Sequence, residues 1–303
     1  MAALKRFGPI WLIPGDNRGK YPFCNSVYVE GARVLIDPGS DRSALTQLRD
    51  DQGVDQVWLT HWHEDHFTHL DLFDDLPLWI AKPDAAPLAD LEAFLDAYDL
   101  GDDALKQLFR VILTETFHFR PRQPARTFDG DETIVLPTKP ATTTVRVIET
   151  PGHTPGHCAF FFEEHGVLFT GDYDLTPFGP WYGDPGSSIE QTRRSVRILQ
   201  ALDAPICLTA HEDGVFEQPA AEIWDRYLQV IDERQRRYLA YLSEPRTMAD
   251  IVGQWIVYRK AREPLAFFEF GERATAQKHL EALTASGQVQ RHPGGEEPRW
   301  IRC

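Results

Sequence analysis

Cysteine is scarce in this chain: Cys24, Cys158, Cys207 and Cys303 are scattered over 303 residues with no Cys-x-x-Cys spacing. That excludes a disulfide scaffold and a thiolate-held structural zinc, and it predicts buried free thiols. Long apolar runs are missing too. No stretch approaches the roughly 18 consecutive apolar residues of a spanning helix. The N-terminal MAALKRFGPIWLIPGDN has a basic pair, but its apolar run is short and broken by prolines. The reading is therefore no signal peptide, no membrane, and a cytoplasmic location. An excess of positive charge is also absent, with 31 Lys+Arg against 46 Asp+Glu. The deficit is uneven: residues 225–303 hold 13 basic and 11 acidic residues, a balance of +2, so residues 1–224 carry −17. A body this acidic repels a polyanion, which argues against a dedicated nucleic-acid enzyme. Repeats and low-complexity tracts are absent as well.

What remains is a globular composition, 42% hydrophobic and 25% charged, long enough for one large domain or two. SVYVEGARVLIDPGS (26–40) alternates strand formers around a Glu30-Gly31 turn and predicts a hairpin. VWLT (57–60) and PLWIAK (77–82) predict short strands. Residues 84–118 change to helical spacing, which marks a helical insertion. TFDGDETIVL (127–136) and TTVRVIET (143–150) return to strand, and HCAFFFEEHGVLFTGD (157–172) predicts a hairpin about Glu164–Gly166. A helix fits 187–202, a strand 205–210 and a long helix 218–242. Beyond SEPRT (243–247), TMADIVGQWIVYR and RATAQKHLEALTAS predict two helices, and the terminal stretch predicts a hairpin turning at Pro293–Gly295. Helix, helix, two-stranded wing resembles a winged-helix module. The expected division is 1–243 and 247–303.

The chemistry concentrates in LTHWHEDHFTHL (59–70). His61 and His63 stand two apart at a strand's end, with Asp65 and His66 following, and a turn there aims two pairs of donors at neighbouring points. Imidazole with carboxylate and no thiolate favours zinc, iron or manganese over a structural zinc finger. A solvated histidine-rich loop is the alternative for this stretch taken alone. Further on, His153 in ETPGHTPGH, Asp172 in LFTGDYD and His211 in CLTAHED each follow an apolar strand-like run. All three are expected on one rim of a sheet.

HxHxDH, PGHTPGH, GD and AH in this order resemble the metallo-β-lactamase-fold hydrolases over roughly residues 8–240. The resemblance implies an α+β four-layer αββα sandwich, here followed by the winged-helix-like domain. It implies two divalent metal ions, zinc favoured and iron or manganese accepted. His61, His63 and His153 would hold one, Asp65, His66 and His211 the other, and Asp172 would bridge. A hydroxide between the metals would attack a carbonyl or phosphoryl centre, with Asp65 orienting it and shuttling its proton. Asp37 in LIDPGS would orient a ligand histidine, and His157 would support the PGHTPGH loop. His69, His165, His279 and His292 fall outside this set, as do Cys158 and Cys207.

The Asp172 match and the missing export signal set the chain apart from the true β-lactamases, and His63 sets it apart from the oxygen-reducing di-iron branch. After Asp172, YDLTPFGPWYGDPGSS (173–188) offers Phe178, Trp181 and Tyr182 as a substrate wall, and the insertion offers His118. An acidic, apolar-lined site suits a small ester, thioester or lactone. Two alternatives stand beside that small-molecule acyl substrate. One is an endoribonuclease or phosphodiesterase of the same fold, and the other is a non-catalytic metal sensor with a DNA-binding tail. The tail's mixed charge favours packing against the catalytic domain or a second subunit, as in a homodimer, over gripping nucleic acid.

Overall fold

A computed structural model of the chain describes residues 4–138, 141–293 and 297–303. Seven strands form the first sheet in sequence order: β1 (Lys5–Phe7), β2 (Ile10–Ile13), β3 (Ser26–Val29), β4 (Val34–Ile36), β5 (Gln56–Trp58), β6 (Leu78–Ala81) and β7 (Arg126–Phe128). The β1–β4 pairings are antiparallel and the β4–β7 pairings parallel. The second sheet contains β8 (Glu132–Pro137), β9 (Thr142–Glu149), β10 (Cys158–Phe162), β11 (Val167–Phe169), β12 (Ile206–Leu208) and β13 (Val215–Glu217), in the order 13-12-11-10-9-8. Only β11 and β12 pair in parallel there.

The two-residue period of the strands sorts their side chains into layers. Ile10, Leu12, Val27, Val29, Val34 and Ile36 point between the sheets, where they meet Val145, Val147, Phe160 and Phe169. The intervening Trp11, Ile13, Tyr28 and Leu35 point outward, against helix Arg42–Asp51 and the insertion. On the far side, Ile148, Ala159 and Leu168 pack under helices Ile189–Ala201 and Ala221–Tyr241. Sheets apolar on both faces require cover on both, and the result is the expected αββα sandwich.

The insertion over 84–118 folds as helices Ala85–Ala89, Leu91–Tyr98 and Asp103–Val111 with a closing π turn. TFDGDETIVL is not one strand. Gly130 turns with φ +76°, sending β7 to the first sheet and β8 to the second.

The C-terminal elements also differ from expectation. β14 (Arg246–Thr247), β15 (Val289–His292) and β16 (Arg299–Arg302) form a three-stranded sheet. The expected turn at Pro293–Gly295 lies largely outside the described residues. The first expected helix is only Met248–Val252, while the second runs from Leu265 to Ala285 and begins eight residues before RATAQ. Ile251, Ile256, Leu280, Leu283, Val289 and Trp300 close a small core that Tyr238 and Leu242, at the end of the long preceding helix, complete. Ile256, Leu280, Leu283 and Trp300 are buried as a packing role requires, but Trp255, Phe267 and Phe268 are half-exposed.

A buried polar chain joins this unit to the sandwich. Arg234 donates to the carbonyls of Phe178 and Pro180 and to the Tyr182 hydroxyl. That hydroxyl in turn meets His279 Nε2 at 3.0 Å. Burial, with Arg234 and Arg193 nearby, pulls the His279 pKa down from 6.5 to about 3. Below pH 6.5 the unfolded chain therefore takes up a proton here that the folded chain refuses, and stability falls as pH drops toward 3. Replacing the imidazole with a neutral amide, His279→Gln, is expected to flatten this loss. Denaturant titrations of both proteins at about pH 7.5 and about pH 5.5 should show the variant losing less stability, by about 1 kcal/mol. An identical loss in both would place the acid sensitivity elsewhere.

Candidate metal centre and its cleft

β4, β5 and β6 run parallel, as do β11 and β12, and β9 shares their direction through two antiparallel pairings. Their C-terminal ends form one rim. Asp37 follows β4, His61 to His66 follow β5, His153 follows β9, Asp172 follows β11, and His211 follows β12. The structure brings the seven expected ligands together in two groups of donor atoms: His61, His63, His153 and Asp172, and Asp65, His66 and His211.

The ring nitrogens show how each imidazole is aimed. His61 Nδ1 meets Thr60 Oγ1 at 2.9 Å. His63 Nε2 meets Asp184 Oδ2 at 2.7 Å. His66 Nδ1 meets Asp37 Oδ2 at 2.9 Å, His153 Nδ1 the Trp181 carbonyl at 3.1 Å, and His211 Nδ1 the Gly19 carbonyl at 2.7 Å. Every ring spends one nitrogen on a partner of its own and turns the other inward. The inward nitrogens of His61, His63 and His153 lie 2.9–3.0 Å apart. Asp172 divides its carboxylate between the groups: Oδ1 is 2.8 Å from His66 Nε2 and 3.3 Å from His211 Nε2, while Oδ2 is 3.2 Å from His153 Nε2. Yet His66 Nε2 and Asp172 Oδ1 have no aligned hydrogen-bond partner despite full burial. Buried donor atoms that face one another without bonding fit a shared cation, and neutral imidazole nitrogens with carboxylate oxygens suit a divalent one.

Electrostatics agree. Burial strips His61 and His157 of their protons, moving both pKa values well below normal, with neighbouring histidines adding to the effect. Burial likewise takes His153 down to about 4. For His66, His63 and His211 burial pulls the same way but loses to carboxylates. Asp172 and Asp37 lift His66 well above normal, Asp184 lifts His63 to about 9, and Asp172 lifts His211 to about 10. Asp172 is desolvated too, yet the surrounding imidazoles hold it well below the usual carboxylate range. The acidic residues thus draw positive charge toward the rim, the charge that divalent cations would supply.

Supporting residues sit where the motifs suggested. Asp37 also accepts from the Thr60 amide and hydroxyl, both at 2.8 Å. His157 accepts from the Asp172 amide at 3.2 Å and meets Thr150 Oγ1 at 2.8 Å, so both of its nitrogens are spent on structure. Sequence reasoning missed three buried carboxyls. Asp184, which holds His63, was hidden in an aromatic loop. Asp84 binds Thr154 Oγ1 and the Gly156 amide, fixing the His153 loop, and burial lifts its pKa to about 7. Its position just past β6 is the same strand-end signal that marked the other residues. Glu64 accepts from the hydroxyls of Tyr21 and Tyr98.

Above the rim lies a cleft of about 560 Å³. Phe178 and Trp181 line it, as expected, and so do Tyr98 and Phe109 of the insertion. Two substrate assignments are corrected. Tyr182 is fully buried, with its hydroxyl held between Arg234 and His279 and away from the cleft. His118 is exposed, does not line the cleft, and lies on the side of His69 and Asp71. The C-terminal elements, in contrast, contribute Tyr258, Arg262, Phe267, Phe268 and Phe270 to the wall.

Residues 20–211 match the family model described as the metallo-beta-lactamase superfamily. The chain belongs to that superfamily. It is 27% identical over 218 residues to a thioesterase of Emericella nidulans, covering 70% of this chain and 51% of that protein. It is 29% identical over 239 residues to the atrochrysone carboxyl ACP thioesterase of Aspergillus fumigatus, covering 73% and 61%. The chain thus matches about half to three-fifths of the length of these curated relatives. Among solved structures, a metallo-beta-lactamase family protein of Thermus thermophilus superposes with a TM-score of 0.71 at 23% identity, over 97% of this chain and 99% of that one. A beta-lactamase domain protein of Burkholderia ambifaria gives 0.69 at 20% identity, over 99% and 93%. Both share the superfamily fold, and the coverage takes in the C-terminal elements.

The anchoring contacts are open to a direct test. Asp37→Asn and Asp184→Asn each keep side-chain volume but remove the charge that fixes one imidazole. Each is expected to weaken divalent-metal affinity by about 10–100-fold, read by competition with a chromophoric chelator. Wild-type affinity in both variants would show that His66 and His63 are held by other contacts.

Proposed function

We propose that the chain is a dinuclear metal-dependent hydrolase of small acyl substrates, with a thioester as the favoured bond. One observation carries this reading. Five histidines, each anchored through one nitrogen, converge with Asp65 and Asp172 at the floor of an aromatic-walled cleft. In this reading His61, His63 and His153 would hold one cation, Asp65, His66 and His211 the other, and Asp172 would serve both. When bound, such cations supply Lewis acidity, which polarises a carbonyl and acidifies water. Zinc is favoured, and iron or manganese suits the same donors.

The chain's own residues supply the rest. Asp65 lines the cleft with a side chain only 7% exposed, so its free oxygen is the acceptor placed to take a proton from attacking water. The aromatic wall excludes bulk water and holds the acyl group over the rim. Departure of the leaving group separates a thioester from an ester. A thiol with a pKa of about 8.5 leaves as thiolate without prior protonation, whereas an alkoxide needs a donor. Two of the hydroxyls lining the cleft, those of Tyr21 and Tyr98, are both committed to Glu64, next to Asp65. The thioesterase names of two relatives support the same choice. The C-terminal unit, winged-helix-like in element order, serves as the far wall. Lys278, a cation of the tail helix, donates to the Pro185 carbonyl at 2.7 Å, next to Asp184.

Metal-stripped protein is expected to be inactive and to regain thioester hydrolysis when reloaded to two ions per chain, measured against a panel of thioesters, esters and lactones. Cleavage of single-stranded RNA with no turnover on that panel would overturn the acyl reading in favour of a phosphodiesterase. Metal binding without turnover on either would favour a sensor. A second expectation concerns Asp65→Asn, which keeps an oxygen donor but loses basicity. Its kcat should fall by about 100-fold or more. A loss confined to KM would make Asp65 a substrate-positioning residue.

A further inference from the structure

The apolar part of the cleft has an unusual composition. Of its 23 lining residues nine are Phe, Tyr or Trp, against 12% aromatic in the chain as a whole. Among the described residues that line it, none is Leu, Ile, Val, Met or Ala. An acyl-chain tunnel draws its walls from branched aliphatic side chains, which the sandwich core uses freely and this cleft does not.

The rings also touch in series. Phe178 lies 5.7 Å from Tyr258 between centroids, Tyr258 lies 5.0 Å from Phe268, and Phe268 lies 5.4 Å from Phe267. Phe109 continues the series at 6.1 Å from Phe267, then Phe270 at 5.8 Å from Phe109, and Tyr98 at 6.2 Å from Phe270. Tyr21 stacks on Phe267 from the opposite lip at 5.3 Å. The belt is drawn from four separate parts of the chain. Some successive planes turn sharply, by 86° from Tyr258 to Phe268, 87° from Phe268 to Phe267 and 79° from Phe270 to Tyr98, while Phe178–Tyr258 and Phe109–Phe267 lie closer to parallel at 30° and 16°. The wall therefore offers ring faces and ring edges in turn, the two surfaces a flat aromatic guest can use by stacking and by edge contact. Tyr21 and Phe178 remain 41% and 39% exposed at the lips, apolar surface left for something to cover.

We propose that the group held over the metal rim is a flat aromatic ring system, so that the substrate is an aromatic acyl thioester or ester and not a fatty acyl one. What the ring is attached to rests on the hydrolase reading above; the ring itself rests on the cleft alone. The belt supplies recognition by shape. A rigid planar guest loses few rotors on binding, whereas an alkyl chain must order each of its bonds against walls that do not interlock with it.

The test is binding of two neutral ten-carbon alcohols, 2-naphthol and decanol, measured by calorimetry on metal-free and on zinc-loaded protein. Decanol is the more hydrophobic, so a non-selective greasy cleft would prefer it. The expected result is naphthol tighter by about tenfold in both metal states, the scale of one or two aromatic contacts. Phe267→Leu and Phe270→Leu keep apolar bulk and remove a ring. Each should weaken naphthol about threefold or more while retaining decanol binding, which also reports an intact cleft. Decanol binding as tightly as naphthol, or naphthol indifferent to both substitutions, would overturn the proposal. Because the readout needs neither metal nor turnover, a protein that prefers naphthol yet hydrolyses nothing would sink the hydrolase reading and leave the aromatic site standing.

Discussion

An imidazole has two nitrogens, and the rim of this protein depends on how each pair is divided. Five histidines meet in a buried space where unanchored rings would flip, trade tautomers and bond to one another. Here Thr60, Asp184, Asp37, Trp181 and Gly19 each take one nitrogen, so each ring has one orientation left and one lone pair to present. Much of the surrounding architecture follows from keeping those partners in place. Asp37 can reach both Thr60 and His66 because β4 and β5 are parallel neighbours ending at the same level. The Trp181 carbonyl can reach His153 only while the loop after Asp172 folds back across the rim.

The backbone is drawn in as tightly as the side chains. At Gly39, just beyond Asp37, an added Cβ would overlap the Asp65 carbonyl, so the two loops carrying these acids touch main chain to main chain. At Gly152 the backbone takes φ +129° directly against the Thr192 amide, which seats the His153 loop on helix Ile189–Ala201. Both positions require the absence of a side chain, one for space and one for conformation as well. Distances within the donor groups are thus set by loop-on-loop contact across two sheets.

The rim was readable in the sequence because each of its residues follows a short apolar strand, and strand ends in a layered sheet share an edge. His61, His63, Asp65, His66, His153, Asp172 and His211 all announce themselves that way, and so does Asp37. What sequence concealed is contact between segments remote in number. Nothing local to WYGDPGSS says that Asp184 faces a histidine 121 positions earlier. Tyr182 looked like a wall residue because its neighbours Phe178 and Trp181 are; one step along an irregular loop turned it inward to Arg234. The tail misled for a different reason. Gly271 and the aromatic run before it weaken helical periodicity, so the pattern puts the helix start at RATAQ. It starts at Leu265, and the added turns carry Phe267, Phe268 and Phe270 into the cleft. Gly271 belongs there because Tyr258 lies against it, where a Cβ would overlap the phenol oxygen.

That longer helix changes what the C-terminal unit is for. Packing was the role expected of the tail, yet its long helix also reaches the substrate cleft, with its C-terminal half in the small core and its N-terminal half in the wall. Arg234 ties the two tasks together. It is buried, and a buried guanidinium must place its donors on acceptors or bear the cost of desolvation. It satisfies them on the Phe178 and Pro180 carbonyls and on Tyr182. Those carbonyls flank Trp181, whose own carbonyl orients His153, and the Tyr182 hydroxyl leads to His279 on the tail helix. A shift of that helix would therefore move an aromatic wall and strain the anchor of one rim histidine at the same time. The cleft and the rim are not independent parts placed side by side. They share one short loop, and Arg234 ties it to the long helix that leads into the tail.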